Sequence, residues 1–303
     1  MAALNKLSKI LASAYIVPIS DASKIVLMSD CHRGDGSFAD NFSKNQNVYC
    51  GALDYYFSRG YTYIEIGDGD ELWENYDFGV IVETHKDAFR LLTKFQQHGR
   101  LYMIYGNHDM VKKNSRYVAK NLYRYHDARL KKDMPLFENI KVHEALRLRH
   151  AETGKDIFVV HGHQPDFFNN HLWKLARFLV RHLWRHLEAA GFNNPTSAAK
   201  NNKMSSSIEN KLASWCEREN KMMIAGHTHR PVFPEKDAPL YFNDGSCVHP
   251  RCVTAIEISG GDIVLVKWCV STMHGGILYV RREVIAGPEK LSAYLAPDAS
   301  ADA

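Results

Sequence analysis

The 303-residue sequence predicts an α/β layered fold, and three observations carry that expectation. Short apolar runs alternate with helix-length stretches, as buried strands and covering helices do. Five of these runs end in polar clusters: SDCH, GDGD, GNHD, HGH and GHTH. The last third changes to consecutive strand-length runs split by tight turns, which reads as an antiparallel-rich second sheet completing a sandwich.

From the N-terminus, residues 4–14 read as a short amphipathic helix packed on the domain. Strands are expected at 25–29, 61–66, 101–105, 157–160 and 222–225, each just before a polar cluster. In open α/β sheets, ligand sites form beyond such carboxyl ends. Helices are expected at 46–58, 80–97, 115–125, 171–189 and 206–220. Trailing strands are expected at 240–243, 252–258, 262–268 and 276–282, with Ser259-Gly260-Gly261 as a hairpin turn. Residues 164–220 look like a basic helical insertion around a polar middle, NNPTSAAKNNKMSSS. Residues 297–303 are small and polar and should fray.

Apolar residues make up 45% and charged residues 24%, a balance that fits a single globular domain over residues 1–303. A formal charge of +4 is too weak to imply nucleic acid, and no such partner is expected. The sixteen histidines stand out, because imidazole is the commonest metal ligand and a proton donor near neutral pH. Six cysteines form no CxxC pair and read as reduced thiols, which suits the cytoplasm. No apolar run approaches the roughly 18 residues of a membrane span. The N-terminus lacks the apolar core and cleavage site of an export signal. The composition says nothing of oligomeric state.

The polar clusters supply the chemistry. Alternation along an extended segment would send Asp30 and His32 to one side, where both could reach one ion. Asp68 follows Gly67, whose freedom lets the backbone turn sharply, and its two oxygens suit a bridge between cations. Asn107 offers a carboxamide oxygen, and His108 could give a proton. His161 is another ligand candidate, and His227 and His229 repeat the i, i+2 spacing. Carboxylate, carboxamide and imidazole without thiolate suit Mn, Fe, Zn or Mg. Cys31 reads as packing, His163 as an outer donor to a ligand in preference to an extra ligand, and His249 as structural. Asp70 and Glu71 read equally as orienting groups or solvated loop carboxylates. Arg33 directly follows a ligand and is a candidate for phosphate contact, against a surface salt bridge.

Together these elements resemble the calcineurin-like metallophosphoesterase superfamily, whose pattern runs DxH, GD, GNH[DE], H and GHxH. The match spans residues 30 to 229 in Asp30/His32, Gly67-Asp68, Gly106–Asp109, His161 and Gly226–His229. The resemblance implies a four-layer αββα sandwich of two mixed β-sheets flanked by helices, with a helical lid insertion. It implies two divalent metal ions, with Mn foremost. Asp30, His32, Asp68 and His229 would hold the first, and Asp68, Asn107, His161 and His227 the second. It implies that a metal-bridging hydroxide attacks phosphorus, that His108 protonates the leaving oxygen, and that Asp109 orients His108.

The insertion bears on substrate. In HLWKLARFLVRHLWRH, Lys174, Arg177, Arg181 and Arg185 fall three and four apart and form one helical stripe. Its two readings are a solvated face, or a lid whose Arg177 and Arg181 meet anionic head groups or acyl chains. The layout resembles the UDP-2,3-diacylglucosamine pyrophosphohydrolases, although those carry DLHL and GNRD where DCHR and GNHD stand here. That resemblance implies a phosphorylated small-molecule or lipid-linked substrate, with peripheral contact to the inner face of the membrane. A serine/threonine protein phosphatase would want an arginine after the second motif, which GDGDEL lacks. A nuclease would want a broad basic groove with stacking aromatics. A metal-free scaffold is the non-enzymatic alternative.

Overall fold

The computed structural model describes residues 2–165 and 202–295. Its apolar runs form two mixed sheets. The seven-stranded sheet has a parallel half of β2 (Lys24–Met28), β3 (Thr62–Ile66), β4 (Leu101–Ile104) and β7 (Val142–His143). Antiparallel to β2 comes β12 (Cys252–Ser259), followed outward by β13 (Asp262–Thr272) and β14 (Leu278–Lys290). The five-stranded sheet runs β1 (Tyr15–Ile19), β8 (Ala145–His150), β9 (Asp156–Val160), β10 (Met222–Ala225) and β11 (Tyr241–Asn243). Only its β8–β9 pair is antiparallel. A hairpin of β5 (Arg124–Asp127) and β6 (Lys132–Pro135) stands apart.

Strand alternation divides the apolar residues among three interlayer cores. Ile25 and Leu27 of β2 face the inter-sheet core with Ile64, Ile66, Val159, Ile224 and Phe242. Val26 and Met28 face the other way, onto α2 (Gln46–Ser58), α3 (Phe78–Thr84) and α4 (Lys86–Gln97), through Tyr49, Ile81 and Phe89. On the outside of the five-stranded sheet, Phe158, Val160 and Met223 pack against α1 (Ala2–Ser13) and α6 (Asn202–Glu219), including Leu212 and Trp215. The order helices, sheet, sheet, helices gives the expected four layers. α5 (Ser115–Asn121) and α7 (Leu291–Tyr294) complete the helices among the described residues.

Several expectations need correction. The trailing strands do not form one sheet of their own: β11 joins the five-stranded sheet, whereas β12, β13 and β14 extend the sheet begun by β2, because β12 hydrogen-bonds to the free side of β2. The helix expected over 80–97 is two helices that meet at His85. There the buried imidazole is drawn to Asp40 (2.8 Å) and Gln46 (2.6 Å), and ψ rises to 34°. The helix expected over 115–125 stops at Asn121, since Arg124–Asp127 pairs with Lys132–Pro135. The helix expected at 206–220 is α6, a layer of the sandwich packed on β9 and β10 through Ile208, Leu212 and Trp215. The basic helix expected at 171–189 and the tail from 297 lie outside the described residues. No helix among the described residues is long and apolar enough to cross a membrane.

Candidate metal centre

The polar clusters gather where β2, β3, β4, β9 and β10 end. The seven-stranded sheet delivers Asp30, His32, Asp68 and Asn107, and the five-stranded sheet delivers His161, His227 and His229. The pairs Asp30/His32 and His227/His229 do converge, but not through extended backbone. Asp30, His32, Asp68, His227 and His229 all have positive φ, between 47° and 69°. Non-glycine residues adopt that left-handed conformation at a cost and hold it only where their surroundings demand it. Glycine makes the close approach feasible. A Cβ on Gly67, itself at φ 85°, would lie 2.7 Å from His161 Nδ1 and 2.8 Å from Gly106 N.

Two acceptor clusters result. In the first, Asp30 Oδ1 lies 3.0 Å from His229 Nε2 and 3.6 Å from His32 Nε2, and the two Nε2 atoms are 3.3 Å apart. The other Asp30 oxygen accepts from the His227 amide (2.8 Å) and from the Ser29 hydroxyl. In the second, Asp68 Oδ2 is 3.2 Å from His161 Nε2, and Asn107 Oδ1 is 3.3 Å from it. His227 completes this group. Asp68 Oδ2 is also 3.8 Å from His32 Nε2, so one carboxylate faces both clusters.

Tautomers test whether a cation fits. His161 Nδ1 donates to the Ile66 carbonyl at 2.7 Å, which leaves its Nε2 lone pair aimed at two oxygens. His32 Nδ1 donates to Glu71 at 3.0 Å, which aims its Nε2 lone pair at the first cluster. Converging acceptors without a donor need either a proton or a metal ion between them. The proton shows as a titration shift. Burial pushes the His161 imidazole down, but Asp68 and Asp30 outweigh it and raise it to about 9. Burial likewise pushes the Asp68 carboxyl up, while the His161 and His108 imidazoles hold it far below the usual carboxylate range. The donor set fits a pair of hard or borderline divalent ions.

His108 sits beside the centre with a quarter of its side chain exposed. Its Nδ1 meets both oxygens of Glu71, at 2.7 and 2.9 Å. Trp73 stacks on its ring with centroids 4.2 Å apart and planes 18° from parallel. Burial lowers the His108 imidazole, and Glu71 and Asp68 more than restore it. Glu71 therefore orients His108, a role expected of Asp109. Asp109 is fully buried and instead accepts from the Gly106 amide (2.7 Å) and pairs with Lys112 (2.7 Å).

Arg33 also departs from expectation. It is fully buried, not part of a surface salt bridge. Its Nε pairs with Asp70 at 2.7 Å and its Nη2 with Glu65 at 2.8 Å. Lys112, equally buried, joins Asp70 (2.6 Å) to Asp109, so a charged lattice ties together the loops after β2, β3 and β4. Burial would raise the Asp70 carboxyl, but Arg33 and Lys112 bring it down to about 2. Long-range pairing made this network hard to read in the sequence, although the run GDGDE flagged its density of carboxylates.

Cys31 is buried as packing, and all six cysteines are free thiols. His163 is buried beside His161, with ring centroids 5.5 Å apart, and its Nδ1 has no hydrogen-bond partner among the described residues. That nitrogen therefore supplies no hydrogen bond to a ligand candidate among the described residues. The His249 carbonyl accepts from Asn45 at 2.6 Å, in keeping with a structural position. Arg177 and Arg181 lie outside the described residues. Among the site residues, sequence reasoning left the role of Glu71 open and missed Trp73.

The calcineurin-like phosphoesterase family model matches residues 23–231. No curated protein matches the sequence. Among solved structures, Vps29 from Chaetomium thermophilum aligns at 11% identity over 87% of this chain and 97% of its own, with a TM-score of 0.37. A putative 5'-nucleotidase from Staphylococcus aureus aligns at 13% identity over 86% of this chain and 53% of its own, with a TM-score of 0.34. The 5'-nucleotidase from Candida albicans aligns at 10% identity over 92% of this chain and 54% of its own, with a TM-score of 0.28. The chain spans about half the length of the two nucleotidases.

Proposed function

Because the chain belongs to the calcineurin-like phosphoesterase family, we propose that it hydrolyses phosphoesters with two divalent cations held between its sheets. Asp30, His32 and His229 would hold one with Asp68, and Asp68, Asn107, His161 and His227 would hold the other. The observation that carries this reading is the convergence of donor-free acceptors, with Asp68 Oδ2 3.2 Å from His161 Nε2 and 3.8 Å from His32 Nε2. Mn is the first candidate, and Fe, Zn and Mg suit the same donors. Bound there, such ions supply an activated water and neutralise charge on the phosphoryl oxygens.

The chain's own residues supply the rest. His108 donates the proton that the leaving oxygen needs. Glu71 occupies Nδ1, so the proton to be given resides on Nε2. The stacked Trp73 ring and the Glu71 carboxylate restrict how the imidazole can turn. The substrate we propose is a small or lipid-linked nucleotide or phosphosugar, cleaved at a phosphodiester or pyrophosphate. The run of basic residues in the sequence that includes Arg177 and Arg181 supports an anionic or lipidic partner and contact with a membrane surface from the cytoplasm.

The test is hydrolysis of p-nitrophenyl phosphate, its bis ester and nucleotide-diphosphate sugars, with Mn, Fe, Zn or Mg in turn. Bound metal is measured by elemental analysis alongside. The expected result is metal-dependent turnover that Asp68→Ala removes almost entirely, with loss of bound metal. Turnover that ignores metal, or survives Asp68→Ala, overturns the reading.

A further inference from the structure

Seven of the thirteen exposed large hydrophobics among the described residues lie on one hairpin, between Val270 and Ile285. Its outer member, β14, is the last strand of the seven-stranded sheet, and no described strand pairs with its far side. A long edge strand presents a row of backbone donors and acceptors ready to pair with another strand, and proteins usually shorten or cover such an edge. β14 is thirteen residues long. From Leu278 to Val284 it pairs with β13 in unbroken register, and the two irregularities fall beyond, at Ile285 and between Ala286 and Glu289.

We propose that this edge binds the same edge of a second copy of the chain, antiparallel, about a twofold axis at Arg282. The side-chain order fixes the axis. An isologous antiparallel pair sets residues equally far from the axis opposite each other. Centred on Arg282, Arg281 faces Glu283 of the second copy, and Glu283 faces its Arg281. Val280 then faces Val284, the last residue before the register breaks. Centring one residue earlier puts Arg281 against its own copy and Tyr279 against Glu283. Centring one residue later puts Glu283 against its own copy and Arg281 against Ile285. Opposite charges and apolar pairs across strands stabilise, and like charges directly opposite destabilise.

The one like pair in the favoured register is already compensated. Arg282 is held by both oxygens of Glu257, at 2.8 and 2.6 Å. Arg281 is half exposed and reaches Glu283 of its own strand at 3.3 Å, so its head group can exchange to the partner strand without crossing the sheet. Val284 is nearly half exposed, and the pairing covers it.

Sedimentation velocity across a concentration series, with circular dichroism as a control for folding, tests the interface. The wild-type protein should show a monomer–dimer equilibrium. R281E and E283R should each weaken it by about tenfold or more, since every change turns two attractive pairs into two repulsive ones. The double variant R281E/E283R should restore the dimer, because the reversed charges again face each other. Within residues 279–284, the amides turned away from β13 should exchange more slowly in the dimer than in the monomer. A protein that stays monomeric at high micromolar concentration overturns the proposal. So does a dimer that either single reversal leaves intact, or one that the double reversal fails to restore.

Discussion

Glu71 accepts from His32 Nδ1 and from His108 Nδ1, so a single carboxylate sets the tautomers of a ligand candidate and of the proton donor candidate. Glu71→Gln should therefore disturb two functions at once. We expect bound divalent metal to weaken roughly 10–100-fold, as losses in the shell around ligands do, measured by competition with a chelator. His108→Ala should behave differently. It should keep its metal and slow esters of poor leaving groups far more than p-nitrophenyl esters; equal slowing across the series would remove the acid role. The ligand candidates were legible in the sequence because each ends a strand and belongs to a motif with fixed internal spacing. The supporting residues were not. Arg33 and Asp109 stand inside those motifs, yet their partners Glu65, Asp70 and Lys112 are set by how separate loops pack. Spacing also gave the right convergence for a different reason, since left-handed backbone and not strand alternation brings Asp30 to His32.

Elements with a strong apolar run, such as β10 over Met222–Ala225 and α2 over Gln46–Ser58, were readable to the residue or nearly so. β1 was not, because it contains Pro18. It tolerates that residue by being an edge strand of the five-stranded sheet. The split at His85 was hidden too, because the imidazole's partners Asp40 and Gln46 lie about forty positions away. α6 shows an element held by tertiary packing. Trp215 is fully buried, 5.2 Å from the Phe158 ring, and donates to Ser8 of α1 at 3.0 Å. Trp215→Ala should cost about 3–5 kcal/mol of folding stability in denaturant titration, with metal content per folded chain unchanged.

The candidate ligands come from both sheets, so a bound ion pair would join the halves of the sandwich. Thermal unfolding should reflect this. Chelation should lower Tm, and Tm should rise again with the logarithm of added metal; a midpoint indifferent to metal would contradict binding across the sheets. Acid should act at the buried charge lattice. The Asp70 carboxyl is brought down to about 2 in the folded protein, against an ordinary value of about 3.9. Its contribution is therefore fully present above that ordinary value and vanishes as pH falls through about 2. Asp70→Asn should flatten the loss of stability between pH 4 and 2, read from urea midpoints. The seam between β2 and β12 has a further consequence, in time. Val26 pairs with Glu257, so a chain emerging from the ribosome carries an unzipped β2 flank until residues 252–259 have been made. Non-local pairing of that kind is slow to form. Shortened chains that stop before Cys252 should precipitate on synthesis, and a nascent chain would rely on holding factors until β12 arrives.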